Sequence, residues 1–157
     1  MNEDNKQFAQ KVSEWWYRLQ HNPGSSARLR HQSDIIGIQT VSFFYDLASA
    51  IPDVKIDILA AIAMVLSHME SDSKDNIATR MGRSTSPNSD HAVSELRFNK
   101  LISMNLEELS REIIRVLPLI DNTANISELA VDLRYWDSDT KISKKQWLND
   151  FYLSEKR

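Results

Sequence analysis

A run of nine apolar residues, Ile58 to Leu66, constrains this chain more than any other segment. Residues 54–69 are apolar on nearly every side of a helix, and such a helix is stable only when other elements surround it. The run is about half as long as a membrane span requires. The sequence therefore predicts no membrane segment and a central helix around which the rest of the chain packs.

The other apolar residues repeat with the period of a helix. In residues 5–20 this repeat places one apolar face on Phe8, Val12, Trp15, Trp16 and Leu19. Further helices are predicted over 38–50, 91–104, 106–120, 126–136 and 141–153. Only three glycines and four prolines are present, which favours helices over strands and turns. We therefore predict an all-α protein of about eight helices, arranged as two small packed helical-bundle lobes.

The boundary between these lobes is predicted from a change in composition. Residues 70–92 are rich in serine, aspartate and asparagine, and they contain Gly82 and Pro87. This composition is typical of a linker. We predict an N-terminal helical lobe over 1–70, a linker over 71–90 and a C-terminal helical lobe over 91–157.

Helices are expected to begin at residues whose side chains accept hydrogen bonds from free backbone amides. The expected caps are Ser25 or Ser26 after the turn Asn22-Pro23-Gly24, Ser89 or Asp90 before 91–104, Asn105 before 106–120, and Asn125 with Glu128 in a capping box. Pro118 is expected to bend or end the helix over 106–120, because proline lacks a backbone N–H.

No spacing of residues in the sequence points to catalysis or to a bound group. The four histidines lack metal-ligand spacing; they are His21, His31, His68 and His91. Asp137 and Asp139 lie in a turn without the rest of a calcium-binding loop. We expect no enzyme, no cofactor, no metal and no small-molecule substrate, although an active site built from distant residues stays open. The absence of cysteine fits a reducing, cytoplasmic environment.

Basic residues are the remaining functional candidates, although the net charge is −3. Residues 76–102 carry four bases and two acids, and residues 141–157 carry five bases and two acids. The candidates are Arg28, Arg30, Arg80, Arg83, Arg97 and Lys100, with weaker ones at Arg111, Arg134, Lys144 and Lys145. If several converge, they would bind a sugar–phosphate backbone without reading bases. The alternative is that they solvate the outer faces of helices.

Four segments occur in an order that spans almost the whole chain. They are Trp15-Trp16 with Leu19, the stretch Asn22 to Arg30, the stretch Ser94 to Leu101, and Leu129 to Asp137 followed by Gln146 to Tyr152. Each is common by itself, but together they are fairly specific. In these segments the chain resembles the CasB family, the small subunit of the type I-E Cascade complex of CRISPR antiviral immunity.

The resemblance implies a non-catalytic all-α subunit with two helical lobes. Its implied partners are the Cascade backbone and large subunits, a second copy of itself, and the backbones of guide RNA and target DNA. In the family two copies help hold the opened DNA of the R-loop, including the displaced strand, without sequence preference. By position, Arg28 and Arg30 match the family's basic pair, Arg97 matches the arginine before an aromatic residue, and Arg80 and Arg83 match residues of the linker. Because small subunits of this kind are often basic, the acidic net charge suggests that binding depends on the assembled complex.

Three alternatives stay open at the level of sequence. The first is a purely structural subunit that bridges partners without touching nucleic acid; Leu96, predicted on the polar side of its helix, would suit such an interface. The second is a small helical enzyme, for which no motif speaks. The third is a helix-turn-helix regulator, in which Gln39 and Thr40 would read bases after a turn at Gly37.

Overall fold

The computed structural model describes residues 1–84 and 90–154. Those residues form ten α-helices, two short strands and two 3-10 turns. The bounds are α1 Glu3–Gln20, α2 Pro23–Arg30, α3 Ile35–Ile38, α4 Phe44–Ala50, α5 Ile56–Leu66, β1 Ser71–Asp72, α6 Ile77–Gly82, α7 Glu95–Ile102, α8 Leu106–Glu112, 3-10 turns Ile113–Arg115 and Leu117–Ile120, β2 Thr123–Ala124, α9 Ile126–Arg134 and α10 Ile142–Tyr152. The predicted all-α class is confirmed, with more and shorter helices than the eight expected.

Helix α5 lies at the centre of the protein, as its all-round apolar sequence predicts. Every residue from Leu59 to Leu66 is at most 2% exposed. Helices α2, α3, α4, α8 and α9 all contact it. In the part of the chain that the structure describes, no helix is long and apolar enough to cross a membrane.

The buried apolar side chains form one continuous cluster drawn from both halves of the chain. Helix α1 packs against α9, and α5 packs against α8 and α9. Within the predicted linker, α6 packs against α10 and buries Ile77, Ala78 and Met81. The lobe boundaries at residues 70 and 91 stay a prediction, but α6 is a core element of the fold.

Two of the predicted helix starts are shifted in the structure. Helix α2 begins three or four residues earlier than expected, because Asn22 is its cap and accepts a hydrogen bond from the Ser25 amide, while Pro23 occupies the first turn. Helix α7 is capped by Ser94, whose hydroxyl accepts from the Arg97 amide. The earlier start at Asp90 is therefore wrong, and Ser89 lies outside the described residues. The caps at Asn105 and Asn125 are confirmed, but the capping box expected at Asn125 with Glu128 is only half formed, because the Asn125 amide donates to the Asp75 carbonyl. A complete capping box lies at Asn105 with Glu108.

Two of the predicted helices are interrupted. Helix α8 ends at Glu112 and gives way to 3-10 turns, because the ring of Pro118 would clash with the carbonyl of Ile114 in a continuous α-helix. The segment predicted as one helix over 38–50 is split between α3 and α4. At the break the Thr40 hydroxyl donates to the Gly37 carbonyl at 2.6 Å, which offers the backbone an alternative to helix.

Two strands absent from the sequence prediction join distant parts of the chain in parallel. Ser71 pairs with Thr123 and Asp72 pairs with Ala124. The Asp72 carboxylate also accepts a hydrogen bond from the Ile126 amide at 3.0 Å. It therefore satisfies a free amide at the start of α9 and fixes α9 against the segment that leads into α6.

Candidate nucleic-acid interface

Helix α2 presents the first two candidate cations in different environments. Leu29 between them is fully buried, and Arg28 and Arg30 are more accessible. Arg28 has no hydrogen bond or ion pair from its guanidinium to the described residues, whereas Arg30 donates to the Ser26 hydroxyl. Burial, and next the charge of Arg30, lower the pKa of His68. Arg28 is therefore the freer of the two cations.

Helix α7 presents Arg97 and Lys100 on its exposed side. Phe98 and Leu101 on the other side are buried, and the Phe98 ring stacks on Phe151 with centroids 4.0 Å apart. Neither cation has a side-chain hydrogen bond or an ion pair within the described residues. The helix is thus anchored by its apolar face while two unpaired charges point outward.

Helix α6 brings Arg80 and Arg83 to one small cavity of about 170 Å³, whose opposite wall is the chain from Leu119 to Asp121. The Arg80 Nη2 donates to the Ile120 carbonyl at 3.1 Å. The Arg80 Nε is buried without a hydrogen-bond partner. Arg83 is engaged elsewhere, because its Nη1 lies 2.8 Å from the Asp75 carboxylate.

The six candidate cations therefore occupy three locations. Arg28 and Arg30 lie on α2, which packs against α1 and α5, whereas α6 packs against α10. Only Arg28, Arg97 and Lys100 combine solvent access with the lack of any internal partner among residues 1–84 and 90–154. Assignment of these residues to nucleic-acid binding stays a prediction.

The weaker candidates separate in the same way. Arg134 is bound internally, since its Nη1 lies 3.2 Å from the Asp4 carboxylate and its guanidinium covers the Phe8 ring. Arg111 pairs with Glu107 at 3.4 Å. Lys144 lies over the Trp136 ring.

Lys141, which is not among the cations predicted from the sequence, precedes α10 and has a left-handed backbone with φ 55°. Together with Lys144 and Lys145 it places three cations at the start of that helix. The excess of bases in residues 141–157 was the signal that could have found it.

A second cluster is acidic and surrounds a hollow of about 500 Å³ between α6, α9 and α10, with Asp132 on its wall. Asp132 accepts hydrogen bonds from Trp147 Nε1 at 3.0 Å and from Asn76 Nδ2 at 3.4 Å. Burial, with the nearby charges of Glu128 and Asp150, raises the pKa of Asp132 to about 7. This carboxyl group therefore holds its proton close to neutral pH.

Two of the residues considered for metal chemistry, Asp137 and His91, have structural partners. The Asp137 carboxylate accepts from the Leu106 amide at 3.0 Å and so satisfies the start of α8. The His91 ring packs against Phe151. Among the described residues no group of three or more His, Cys, Asp or Glu side chains is placed to hold a metal ion. Gln39, considered for base reading, donates to the Asp57 carboxylate at 3.0 Å.

Comparison with known proteins gives one family and a group of similar folds. Residues 25–152 match the family described as CRISPR-associated protein Cse2. A chain of the E. coli Cascade complex bound to a PAM-containing double-stranded DNA target is 19% identical, with a TM-score of 0.74, and the alignment covers 93% of this chain and 97% of that one.

Two structures from Thermus thermophilus are also similar. CasB is 14% identical with a TM-score of 0.65, and a CRISPR-associated protein of the Cse2 family is 15% identical with a TM-score of 0.63; each alignment covers 97% of this chain and 99% of the other. No curated protein sequence matches significantly. At these identities the structural likeness shows the fold.

Proposed function

Because the chain belongs to the CRISPR-associated Cse2 family, we propose that it is the non-catalytic small subunit of a type I-E Cascade complex. In this role it binds the backbones of guide RNA and target DNA without sequence specificity and stabilises the R-loop and the displaced strand. Its partners are the Cascade backbone and large subunits and a second copy of itself. A similar fold in Cascade bound to target DNA supports this assignment.

The observation that carries the proposal is the pair Arg97 and Lys100 on α7. Both cations are exposed, lack internal partners among the described residues and stand on a helix fixed by the Phe98–Phe151 stack. Unpaired cations on a rigid support suit phosphate contacts, since little internal energy is lost when they turn to a ligand. Arg28 on α2 is likewise free of internal partners in that part of the chain.

The acidic net charge of −3 limits what such contacts achieve in isolation. Exchange of a DNA duplex for an RNA–DNA heteroduplex is nearly balanced, so a few backbone contacts are enough to shift it. We therefore expect weak nucleic-acid binding by the isolated chain and a clear effect on R-loops in the assembled complex.

The test is R-loop formation by a reconstituted complex that carries Arg97→Ala or Arg28→Ala. The slope of log affinity against log salt is negative, and each phosphate contact that is lost should reduce its magnitude by about 0.7–0.9. Arg18→Ala is the matched control, because that arginine is not a candidate for nucleic-acid binding and is paired with Asp46. If both test variants keep the wild-type R-loop lifetime and the wild-type slope of log affinity against log salt, the proposed phosphate contacts are refuted.

The purely structural role is a second candidate because Leu96 on α7 is 85% exposed. A large apolar side chain so exposed, beside two cations, also suits contact with a partner subunit. Leu96→Ser should then weaken assembly in the absence of DNA, while Arg97→Ala leaves both assembly and R-loops intact. Loss of R-loop stability in Arg97→Ala, with assembly unchanged, favours the nucleic-acid role instead.

A further inference from the structure

We infer that the cavity between α6 and the turn Leu117–Ile120 is a binding site for a single phosphate group, held by the Arg80 guanidinium. The inference rests on the proposed function for the source of that group, a nucleic-acid backbone. It adds a recessed anion site to the exposed contacts of α2 and α7.

The charge of Arg80 has no counter-ion within the part of the chain that the structure describes. Its one hydrogen bond is to the neutral Ile120 carbonyl, and no carboxylate oxygen of a described residue lies within 4.0 Å of it. The Nε is buried and donates to nothing. Holding a partly buried cation without a counter-ion costs free energy, which an anion in the cavity would offset.

The geometry of the guanidinium suits phosphate. It carries five N–H donors in a planar fork that matches the oxygens of a phosphate group. One donor is used by Ile120, so the fork keeps donors for a ligand. Arg80 is also held in place, because its helix is capped by Asn76 and buries both Ile77 and Met81.

The size of the cavity selects a small anion. Its volume of about 170 Å³ is below the ~300–1,000 Å³ of most organic-ligand sites and equals the space of roughly five or six water molecules. One phosphate group fits this volume, whereas a whole nucleotide is too large for it. Arg83 adds positive potential at the wall, although Asp75 engages its guanidinium.

Asp121 works against an anion in this cavity and offers a sharp test. Asp121 lines the wall of the cavity opposite α6, and its carboxylate lies more than 4.0 Å from the nitrogens of Arg80. Replacing that carboxylate with an amide removes a like charge and keeps the volume. Asp121→Asn should therefore tighten phosphate binding by about threefold or more.

The experiment is a titration of the full chain with inorganic phosphate, followed through the Arg80 Nε–Hε resonance. Saturable shifts are expected in the wild type, tighter binding in Asp121→Asn and no saturation in Arg80→Gln. Arg111→Gln is the control and should behave as the wild type. Should Arg80→Gln fail to fold, Arg80→Lys, which keeps the charge but loses the fork, is expected to bind at least several-fold more weakly. Linear shifts in the wild type, or unchanged or weaker binding in Asp121→Asn, overturn the site.

The source of the phosphate is tested separately in the reconstituted complex. Arg80→Gln should shorten the R-loop lifetime. It should also reduce the magnitude of the slope of log affinity against log salt by about 0.7–0.9, as loss of one backbone contact does. If phosphate binds the isolated chain but this variant forms R-loops like the wild type, the nucleic-acid source is refuted. Loss of R-loops in Arg97→Ala without any effect of Arg80→Gln leaves the proposed function intact and refutes nucleic acid as the source of this phosphate.

Discussion

Asp132 makes the stability of this protein depend on pH in a direction opposite to that of most carboxylates. Its pKa is raised from 3.8 to about 7 by burial and by the charges of Glu128 and Asp150, against the hydrogen bonds from Trp147 and Asn76. The folded chain therefore keeps a proton that the unfolded chain releases above about pH 4. This contribution to stability is full below pH 3.8 and is lost as pH rises to about 7.

The size of the effect follows from the shift. About three pKa units at roughly 1.4 kcal/mol each give a ceiling of about 4 kcal/mol over the full range. Between about pH 5.5 and about pH 8 the same linkage predicts a loss of about 2 kcal/mol in the free energy of unfolding. The hollow beside Asp132 admits water, so these values are upper limits.

Asp132→Asn is the informative substitution, because the amide oxygen can still accept from Trp147 and Asn76 while the charge is removed. We expect the variant to gain stability relative to the wild type as pH rises from about 5.5 to about 8. The measurement is urea unfolding at half-unit pH steps, with linear extrapolation to water. His68, whose lowered pKa makes stability rise with pH, is present in both proteins and cancels in the difference.

The control is Asp139→Asn, at an exposed carboxylate in the turn before α10. Its stability curve should run parallel to the wild type across the whole pH range. If Asp132→Asn also runs parallel, Asp132 does not hold its proton near neutral pH, and the argument from burial and neighbouring charge is refuted.

Two further substitutions test the packing and the backbone. Gly82→Ala should destabilise the protein by about 1–3 kcal/mol in urea unfolding, because the added Cβ would meet the Phe151 carbonyl and the Ser154 hydroxyl where α6 approaches α10; stability equal to the wild type would contradict this close approach. Lys141→Gly should raise the thermal midpoint, with a gain of up to about 1 kcal/mol, because residue 141 has φ 55°; a lowered midpoint would show that the lysine side chain contributes more than the strain costs.

Local patterns in the sequence were sufficient for most helices. The all-apolar run predicts the buried α5, and Asn105 predicts the start of α8, because both signals act within a turn or two of helix. The break at Thr40 shows the limit of that reasoning, because apolar periodicity continues across it while a side-chain hydrogen bond ends the helix. The early end of the helix over 106–120 was expected from Pro118, which lacks a backbone N–H.

The chemistry of individual side chains depended on partners far away in sequence. Arg97 and Arg83 are both arginines and cannot be distinguished from the sequence alone. In the structure Arg97 has no ion pair among the described residues, whereas Arg83 is bound to Asp75. The hydrogen bond that Asp132 accepts from Asn76 likewise comes from a residue 56 positions earlier, and it opposes the burial that raises the pKa of this carboxyl group. A helical turn over Ile77 to Met81 was readable inside the predicted linker, but its burial was not, because α6 packs against α10, far away in the sequence.

The contact between Asp4 on α1 and Arg134 on α9 joins residues 130 positions apart, which has a consequence for synthesis on the ribosome. Chains grow at ~5–20 residues per second, so α1 waits roughly 7–26 s for its partner helix to be made. During that interval Trp15 can already meet Phe43, whereas the part of α1 that packs against α9 lacks its cover. The nascent chain therefore exposes apolar surface of α1 until α9 is made, and such surface is prone to aggregation.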